Sequence, residues 1–197
     1  MIRKLKLTIL AETEKEIDQE VKKSTEVRKA LYERGIEGFL ILTRNGLPVL
    51  ERFYNENESY KLGDSVLTAG FLSALTRFID DHVAGLLSDI GVHVYRLFFD
   101  YNEEMLFIIV YDEYKLSNLP LSEFLTLFKG TLSEIKSTFR ELTGEFELKT
   151  LVENPFRLDK FSEFLNEIGP KFDRIIFKSH NMLMNIISET ERENDVS

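Results

Sequence analysis

The stretch from Gly38 to Phe128 constrains the fold most, because short apolar strands alternate there with amphipathic helices. The spacing of apolar residues changes from the two-residue period of strands to the 3.6-residue period of helices and back again. With the flanking segments, the order is helix, two strands, helix, two or three strands, helix. This order predicts an α+β fold in which a central antiparallel sheet is flanked by helices, with extra helices at both ends.

Residues Ile36–Tyr54 are predicted to form the first hairpin. Asn45 and Gly46 lie between two apolar runs, and both residue types tolerate the positive φ angles of a tight turn. Pro48 has no backbone N–H to donate to a sheet. We therefore expect the second strand to lie at an edge of the sheet, or to begin near Val49.

The helix that follows the hairpin leaves one choice open. It begins near Asp64 and either continues to Leu87, or stops near His82 so that Leu86–Ile90 forms a short strand. Its predicted apolar face comprises Leu67, Phe71, Leu75, Phe78 and Ile79. Small residues on the same helix would let a neighbouring backbone approach closely, either from the sheet or from a second subunit. The candidate interface, on this helix and on the predicted edge strand, comprises Leu67, Ala69, Gly70, Ser73, Ala74, Pro48 and Val49.

The second part of the sheet follows directly. Gly91 is expected to turn the chain into a strand at His93–Phe99, and residues 101–103 to connect it to a strand at Met105–Tyr111. The last strand is almost continuously apolar, which is typical of a central strand covered on both faces. A long amphipathic helix is predicted over residues 120–144, between a proline at its start and a glycine at its end.

The two ends of the chain are predicted to add helices to this sheet. The amphipathic helix before the sheet ends at Gly35, and it either packs on its own domain or serves as a docking or dimer helix. Near the other end, Gly169-Pro170 is expected to stop a short helix before a last helix begins near Phe172. The predicted division is 1–35 for the N-terminal arm and helix, 36–142 for the α+β domain, 143–190 for a helical extension packed on the same domain, and 191–197 for a flexible tail.

Composition excludes several classes of function. The chain has no cysteine, which excludes disulfides and thiolate chemistry and fits a cytoplasmic protein. With 25 basic and 34 acidic residues the net charge is −9, which argues against nucleic-acid binding. No apolar run is long enough for a transmembrane helix. The basic amphipathic patch of Arg3, Lys4 and Lys6 would give at most weak peripheral membrane contact.

Residues that could carry catalysis or ligate a metal are sparse. The three histidines, His82, His93 and His180, fall on different predicted elements without the spacing of metal ligands. Glycine-rich phosphate loops and nucleophile-elbow motifs are absent. An enzyme would have to assemble groups from distant elements, for example His93, Asp112 and Tyr114. The sequence therefore predicts a non-catalytic protein with no catalytic residue, cofactor or metal.

Several segments, taken in order, resemble longin and roadblock domains. Gly38–Val49 is similar to their opening hairpin, and Ala69–Leu75 to their first sheet-packing helix. Met105–Tyr114 followed by Phe124–Phe128 is similar to the end of a longin domain. The resemblance covers residues 36–142 and is greatest to archaeal members of this superfamily.

The resemblance implies a five-stranded sheet and a platform that binds or regulates a small Ras-like GTPase, or scaffolds a trafficking or motility complex. Such domains dimerise through helix or edge-strand contacts. The implied partner is therefore a small GTPase or another longin/roadblock-like protein, in a homodimer or a heterodimer. The alternative is a small-molecule sensor of the PAS, GAF or profilin-like type. Its pocket would be lined by Phe71, Phe78, Phe98, Phe99 and Phe107, which otherwise form a filled core.

Overall fold

The computed structural model describes residues 22–55, 70–77, 89–102, 104–116, 121–144 and 155–194. Five antiparallel strands form one sheet in the order β2-β1-β5-β4-β3. The strands are β1 (Ile36–Thr43), β2 (Pro48–Phe53), β3 (Asp89–Val92), β4 (Tyr95–Tyr101) and β5 (Met105–Asp112). The helical segments are α1 (described over residues 22–33), α2 (described over 70–77), α3 (Leu121–Thr143) and α4 (Pro155–Asn194), with a short 3₁₀ turn at Glu113–Leu116. This is the predicted fold class, an antiparallel sheet flanked by helices.

The first hairpin closes with a turn that uses its glycine. Gly46 has a φ of 82°, and the backbone N–H of Thr43 donates to the carbonyl of Leu47 at 2.8 Å. The Thr43 hydroxyl also accepts the N–H of Leu47 at 3.0 Å. β2 begins at Pro48 and lies at an edge of the sheet, so the edge position predicted from the proline is confirmed.

The second hairpin turns later than the sequence suggests. Asp89–Val92 is a strand, which resolves the open choice for its last residues in favour of a strand; residues 86–88 lie outside the described part. Gly91 lies inside β3, and the chain turns at His93, whose φ is 57°. The predicted turn at Gly91 was therefore wrong. Histidine is one of the residue types that adopt this left-handed conformation more readily, which allows the turn to form without glycine.

The central strand β5 contributes buried side chains to both faces of the sheet. Met105, Phe107, Ile109 and Tyr111 lie in one core cluster, and the intervening Leu106, Ile108 and Val110 lie in another. Every one of these side chains is at most 1% exposed. The prediction of a central strand covered on both faces is confirmed.

Aromatic rings fill the larger core, between the sheet and helices α3 and α4. Phe98 stacks on Phe128 at a centroid distance of 4.5 Å, and Phe107 meets the edge of Phe139 at 5.2 Å. These offset and edge-to-face arrangements are the favoured geometries of aromatic pairs. Phe98 and Phe107, which the sensor hypothesis placed in the lining of a pocket, are therefore packed against other aromatic rings. Phe71 lies elsewhere, exposed on α2, and Phe78 is outside the described residues.

The described part of α1 packs on its own domain. Leu31 is fully buried in the larger core cluster, and Val27 and Tyr32 are partly buried against it. Gly35 follows the helix with a φ of 88°, which is the usual way for a glycine to end a helix. Of the two roles left open for this helix, packing in cis is the one observed for residues 22–33.

Helix α4 continues through Gly169-Pro170, so the predicted break into two helices was wrong. A proline inside a helix costs about 3 kcal/mol, because it lacks the N–H and crowds the preceding turn. Phe161 and Leu165 before the proline, and Phe172 and Ile176 after it, are all buried in the same core cluster. Burial of each such side chain contributes about 1.5–3 kcal/mol. Together they outweigh the cost of the proline and keep both halves on the sheet.

Candidate protein-interaction surface

Helices α1 and α4 close the β2 edge of the sheet. The hydroxyl of Ser162 on α4 donates to the carbonyl of Val49 at 2.6 Å, and the guanidinium of Arg28 on α1 donates to the carbonyl of Phe53 at 2.8 Å. Val49 is 1% exposed and Pro48 is half-buried. The side chain of Val49 therefore belongs to the core, and of the two candidate interface residues on β2 only Pro48 reaches the surface.

A buried ion pair joins the same edge to α4. The Nε atom of Arg52 donates to Oδ1 of Asp173 at 2.8 Å, and a second guanidinium nitrogen of Arg52 donates to Oδ2. The hydroxyl of Tyr54 also donates to Oδ1 of Asp173 at 2.7 Å. Burial, with the carboxylate of Asp173 as the second cause, raises the pKa of Tyr54 well above its ordinary value, so this hydroxyl stays protonated. Three hydrogen bonds thus reach one carboxylate, which satisfies a buried charge.

Arg34 joins the end of α1 to the C-terminal half of α4. Its guanidinium lies 4.6 Å from the ring centroid of Phe177 and donates to the side-chain oxygen of Asn181. Tyr111 of β5 donates its hydroxyl to the carbonyl of Arg34 at 3.0 Å. His180, beside these groups on α4, is 2% exposed. Burial, and then the charge of Arg34, lower the pKa of His180 to about 4.

The buried imidazole of His180 should make stability depend on pH. The unfolded chain takes up this proton near pH 6.5, whereas the folded chain takes it up only near pH 4. Protons therefore favour unfolding as the pH falls through this window. We expect the free energy of unfolding to decrease by about 2 kcal/mol between neutral pH and about pH 5.

Urea denaturation at several pH values measures this dependence. His180→Phe should lower the difference in the free energy of unfolding between neutral pH and about pH 5 by the same amount, whatever its effect on stability at neutral pH. Equal pH dependence in the wild type and the variant would contradict the assignment to His180.

The opposite face of the sheet carries α2, which divides into a buried side and an exposed side. Leu72 is 2% exposed in the smaller core cluster, and Thr76 is fully buried. The hydroxyl of Ser73 donates to the carbonyl of Arg44 in the β1–β2 turn. Gly70, Phe71 and Ala74 point outward, and Phe71 is 60% exposed.

This division corrects the predicted apolar face of α2. Phe71 was expected to face the sheet, yet Leu72 does so, and Leu75 is only half-buried. Of the candidate interface residues on this helix, Gly70 and Ala74 lie at the surface, Ser73 is buried, and Leu67 and Ala69 are outside the described residues. Phe71 is the exposed aromatic residue that sequence reasoning placed in the core. In the sequence, the small residues Gly70 and Ala74 close to Phe71 were the signal that could have placed it at the surface.

The β3 edge differs from the closed β2 edge. Within the described part of the chain, β3 pairs with β4 on one side, and the sheet order ends with β3. Val92 on this strand is 42% exposed. An edge strand with an exposed apolar side chain is a ready template for pairing with another chain.

The residues considered for catalysis, His93, Asp112 and Tyr114, lie in or next to two different turns of the chain. Asp112 accepts the backbone N–H of Tyr114 at 3.0 Å, and the Tyr114 side chain is 74% exposed. His93 is exposed in the β3–β4 turn. Among the described residues, no group of three His, Asp or Glu side chains has the geometry to hold a metal ion. In the same residues, no helix is both long and apolar enough to span a membrane.

Comparison with solved structures finds similarity over part of the chain. It is similar to the gliding protein MglB from Thermus thermophilus, with a TM-score of 0.40 and 16% identity over 57% of this chain and 84% of that one. It is also similar to MglB from Myxococcus xanthus, with a TM-score of 0.41 and 12% identity over 60% and 96%. For the mammalian SRP receptor the values are 0.41 and 13% over 75% and 97%. The chain matches no protein-family model and no curated protein. Because these TM-scores are below 0.5, the function is argued from the exposed surface of the protein and not from the similar structures.

Proposed function

We propose that this protein is a non-catalytic interaction platform that pairs with a second platform chain and binds a small Ras-like GTPase. The observation that carries the proposal is the exposure of Phe71 on the outer side of α2. The surface proposed for docking comprises Gly70, Phe71 and Ala74 on α2, and we call these three residues the α2 surface. The β3 edge is proposed as a second contact.

Phe71 has the properties of an interface anchor. Aromatic side chains are enriched in the energetically important centres of protein interfaces, because they bury a large area at a small entropic cost. Phe71 is 60% exposed, so most of its ring is available to a partner. Gly70 and Ala74 beside it present almost no side chain, and a Cβ added at Gly70 would meet no atom within 4 Å. A partner could therefore approach the helix backbone closely around the ring.

The unequal edges of the sheet support the same assignment. At β2, side chains of α1 and α4 already occupy backbone carbonyls. At β3, Val92 is exposed and the outer side of the strand pairs with no other described strand. Strand addition at an open edge is a common mode of protein recognition. The resemblance to longin and roadblock domains, which act as platforms for small GTPases, supports a Ras-like GTPase as the partner.

Light scattering over a concentration series tests the pairing. We expect a dimer for the wild type and at least about a tenfold weaker dimer for Phe71→Asp, because a buried unpaired carboxylate is costly. Met182→Asp is the matched control, since Met182 is 56% exposed on α4 at the opposite face. Phe71→Asp and the wild type should unfold at the same urea concentration, because Phe71 contributes little to the core.

Binding to Ras-like GTPases encoded in the same genome tests the partner. We expect one of them, loaded with a non-hydrolysable GTP analogue, to bind the wild type and to lose affinity for Phe71→Asp. A monomeric wild type that binds none of these GTPases would overturn the proposal. A dimer that also survives Phe71→Asp would remove the α2 surface from it.

A further inference from the structure

Helices α1 and α4 present a basic surface on the face of the sheet opposite to α2. Exposed cations on α4 recur at Lys171, Arg174 and Lys178, which lie on one stripe of the helix because they are three and four positions apart. Between residues 171 and 182, the exposed residues of this stripe include no carboxylate. Because the whole chain has a net charge of −9, this stripe shows that charge is distributed unevenly over the surface.

Helix α1 extends this basic stripe. The contacts of Arg34 with Phe177 and Asn181 hold α1 beside the same part of α4. Leu31 of α1 and Phe172 of α4 are buried in one core cluster, so the exposed sides of both helices point away from the same face of the sheet. Over the described residues 22–33 of α1, the exposed cations are Lys22, Lys23, Arg28 and Lys29, against the exposed carboxylates Glu26 and Glu33. Over residues 22–33 and 161–182, where the side chains are described, the two helices carry seven exposed cations and four exposed carboxylates, two of which, Glu163 and Glu167, precede the basic stripe on α4.

We propose that this surface, the α1–α4 basic surface, binds reversibly to an anionic membrane. Five of its seven cations are lysines, which are depleted at the centres of protein interfaces. Its neighbouring aromatic rings, Tyr32 and Phe177, are partly buried beneath the side chains of Lys115 and Arg34. A lipid surface requires neither an aromatic anchor nor shape complementarity, because clustered Lys and Arg side chains are attracted to anionic headgroups individually.

The negative net charge of the chain does not oppose this binding. Screening at physiological salt limits electrostatic interactions to roughly 8 Å, so carboxylates on the far face of the domain have little influence at the membrane. The α2 surface lies on the opposite face and would point away from the lipid. The inference is independent of the proposed GTPase platform, since either can fail without the other.

Sedimentation of the full chain with vesicles tests the inference. We expect binding to phosphatidylcholine vesicles that contain phosphatidylglycerol, little binding to pure phosphatidylcholine, and loss of binding as salt increases. Lys171→Gln and Lys178→Gln should each weaken binding roughly fivefold, and together roughly twenty-five-fold. Arg77→Gln is the matched control, because it removes one exposed cation from α2 on the opposite face and should leave binding unchanged.

Three results would overturn the inference. Equal binding to neutral and anionic vesicles would exclude an electrostatic surface. Full binding by the Lys171→Gln, Lys178→Gln double variant would place the attraction elsewhere, for example in Arg3, Lys4 and Lys6. Failure to bind anionic vesicles, combined with retention on immobilised polyglutamate, would assign the surface to an acidic protein. Glutamine is as good a helix former as lysine, so loss of the fold would not explain a loss of binding.

Discussion

Replacing Asp173 by alanine should decrease the free energy of unfolding by about 3–5 kcal/mol, because it leaves the charge of Arg52 buried without its partner. The side chain of Asp173 is 1% exposed and that of Arg52 is 12% exposed, so water replaces little of the lost interaction. The same substitution also leaves the hydroxyl of Tyr54 without its acceptor. Urea denaturation followed by circular dichroism measures the change.

A surface ion pair provides the control for this prediction. Lys29 and Glu33 on α1 are 3.8 Å apart and more than half exposed. Pairs of this kind contribute about 0.3–0.5 kcal/mol, so Glu33→Ala should change stability only slightly. A similar small loss for Asp173→Ala would show that the Arg52–Asp173 pair is as solvated as the surface pair, and would contradict the buried geometry.

Gly169→Ala should destabilise the protein by about 2–4 kcal/mol, although alanine is the better helix former. A Cβ at position 169 would lie 2.8 Å from Cζ of Arg52, too close for the guanidinium to stay in place. Since both ends of Arg52 are held, by β2 and by Asp173, the side chain can move only by breaking its ion pair. The loss of a buried pair exceeds the gain of about 1 kcal/mol in helix propensity.

Gly130 gives the matched substitution, because it lies inside α3 and a Cβ there would meet no atom within 4 Å. Gly130→Ala should therefore stabilise the protein by about 1 kcal/mol. The two substitutions are chemically identical and both are made inside helices, so opposite signs isolate the effect of Arg52. If both variants gained stability, Arg52 would have room to move, and the close approach of β2 to α4 would not need a glycine.

The elements that sequence reasoning predicted well are those governed by local rules. The turn at Gly46, the edge position of Pro48 and the burial of Met105–Tyr111 on both faces follow from residue type and apolar periodicity alone. The turn at His93 could not be predicted, because pairing of β3 with β4 decides which residue adopts the left-handed conformation. The continuity of α4 depends likewise on core contacts made by both of its halves.

The surfaces depend on contacts between distant parts of the chain, which periodicity does not reveal. Arg52 and Asp173 are 121 positions apart, and neither has a sequence neighbour that marks it as part of a pair. Phe71 was placed in the core because it continues the four-residue spacing of Leu67 and Leu75 in the sequence. The α1–α4 basic surface combines two helices from opposite ends of the chain, so its charge appears only once they lie side by side.

The closure of the β2 edge by α4 has a consequence for biosynthesis. The strands are translated long before α4, so until α4 is made the β2 edge has the contact from Arg28 of α1 but lacks the contact from Ser162 of α4. Contacts between residues that are far apart in the chain also form slowly, because the loop between them must close first. During this interval an uncovered strand can pair with another nascent chain. Ribosome-bound chains truncated before α4 should therefore recruit chaperones that the complete chain releases.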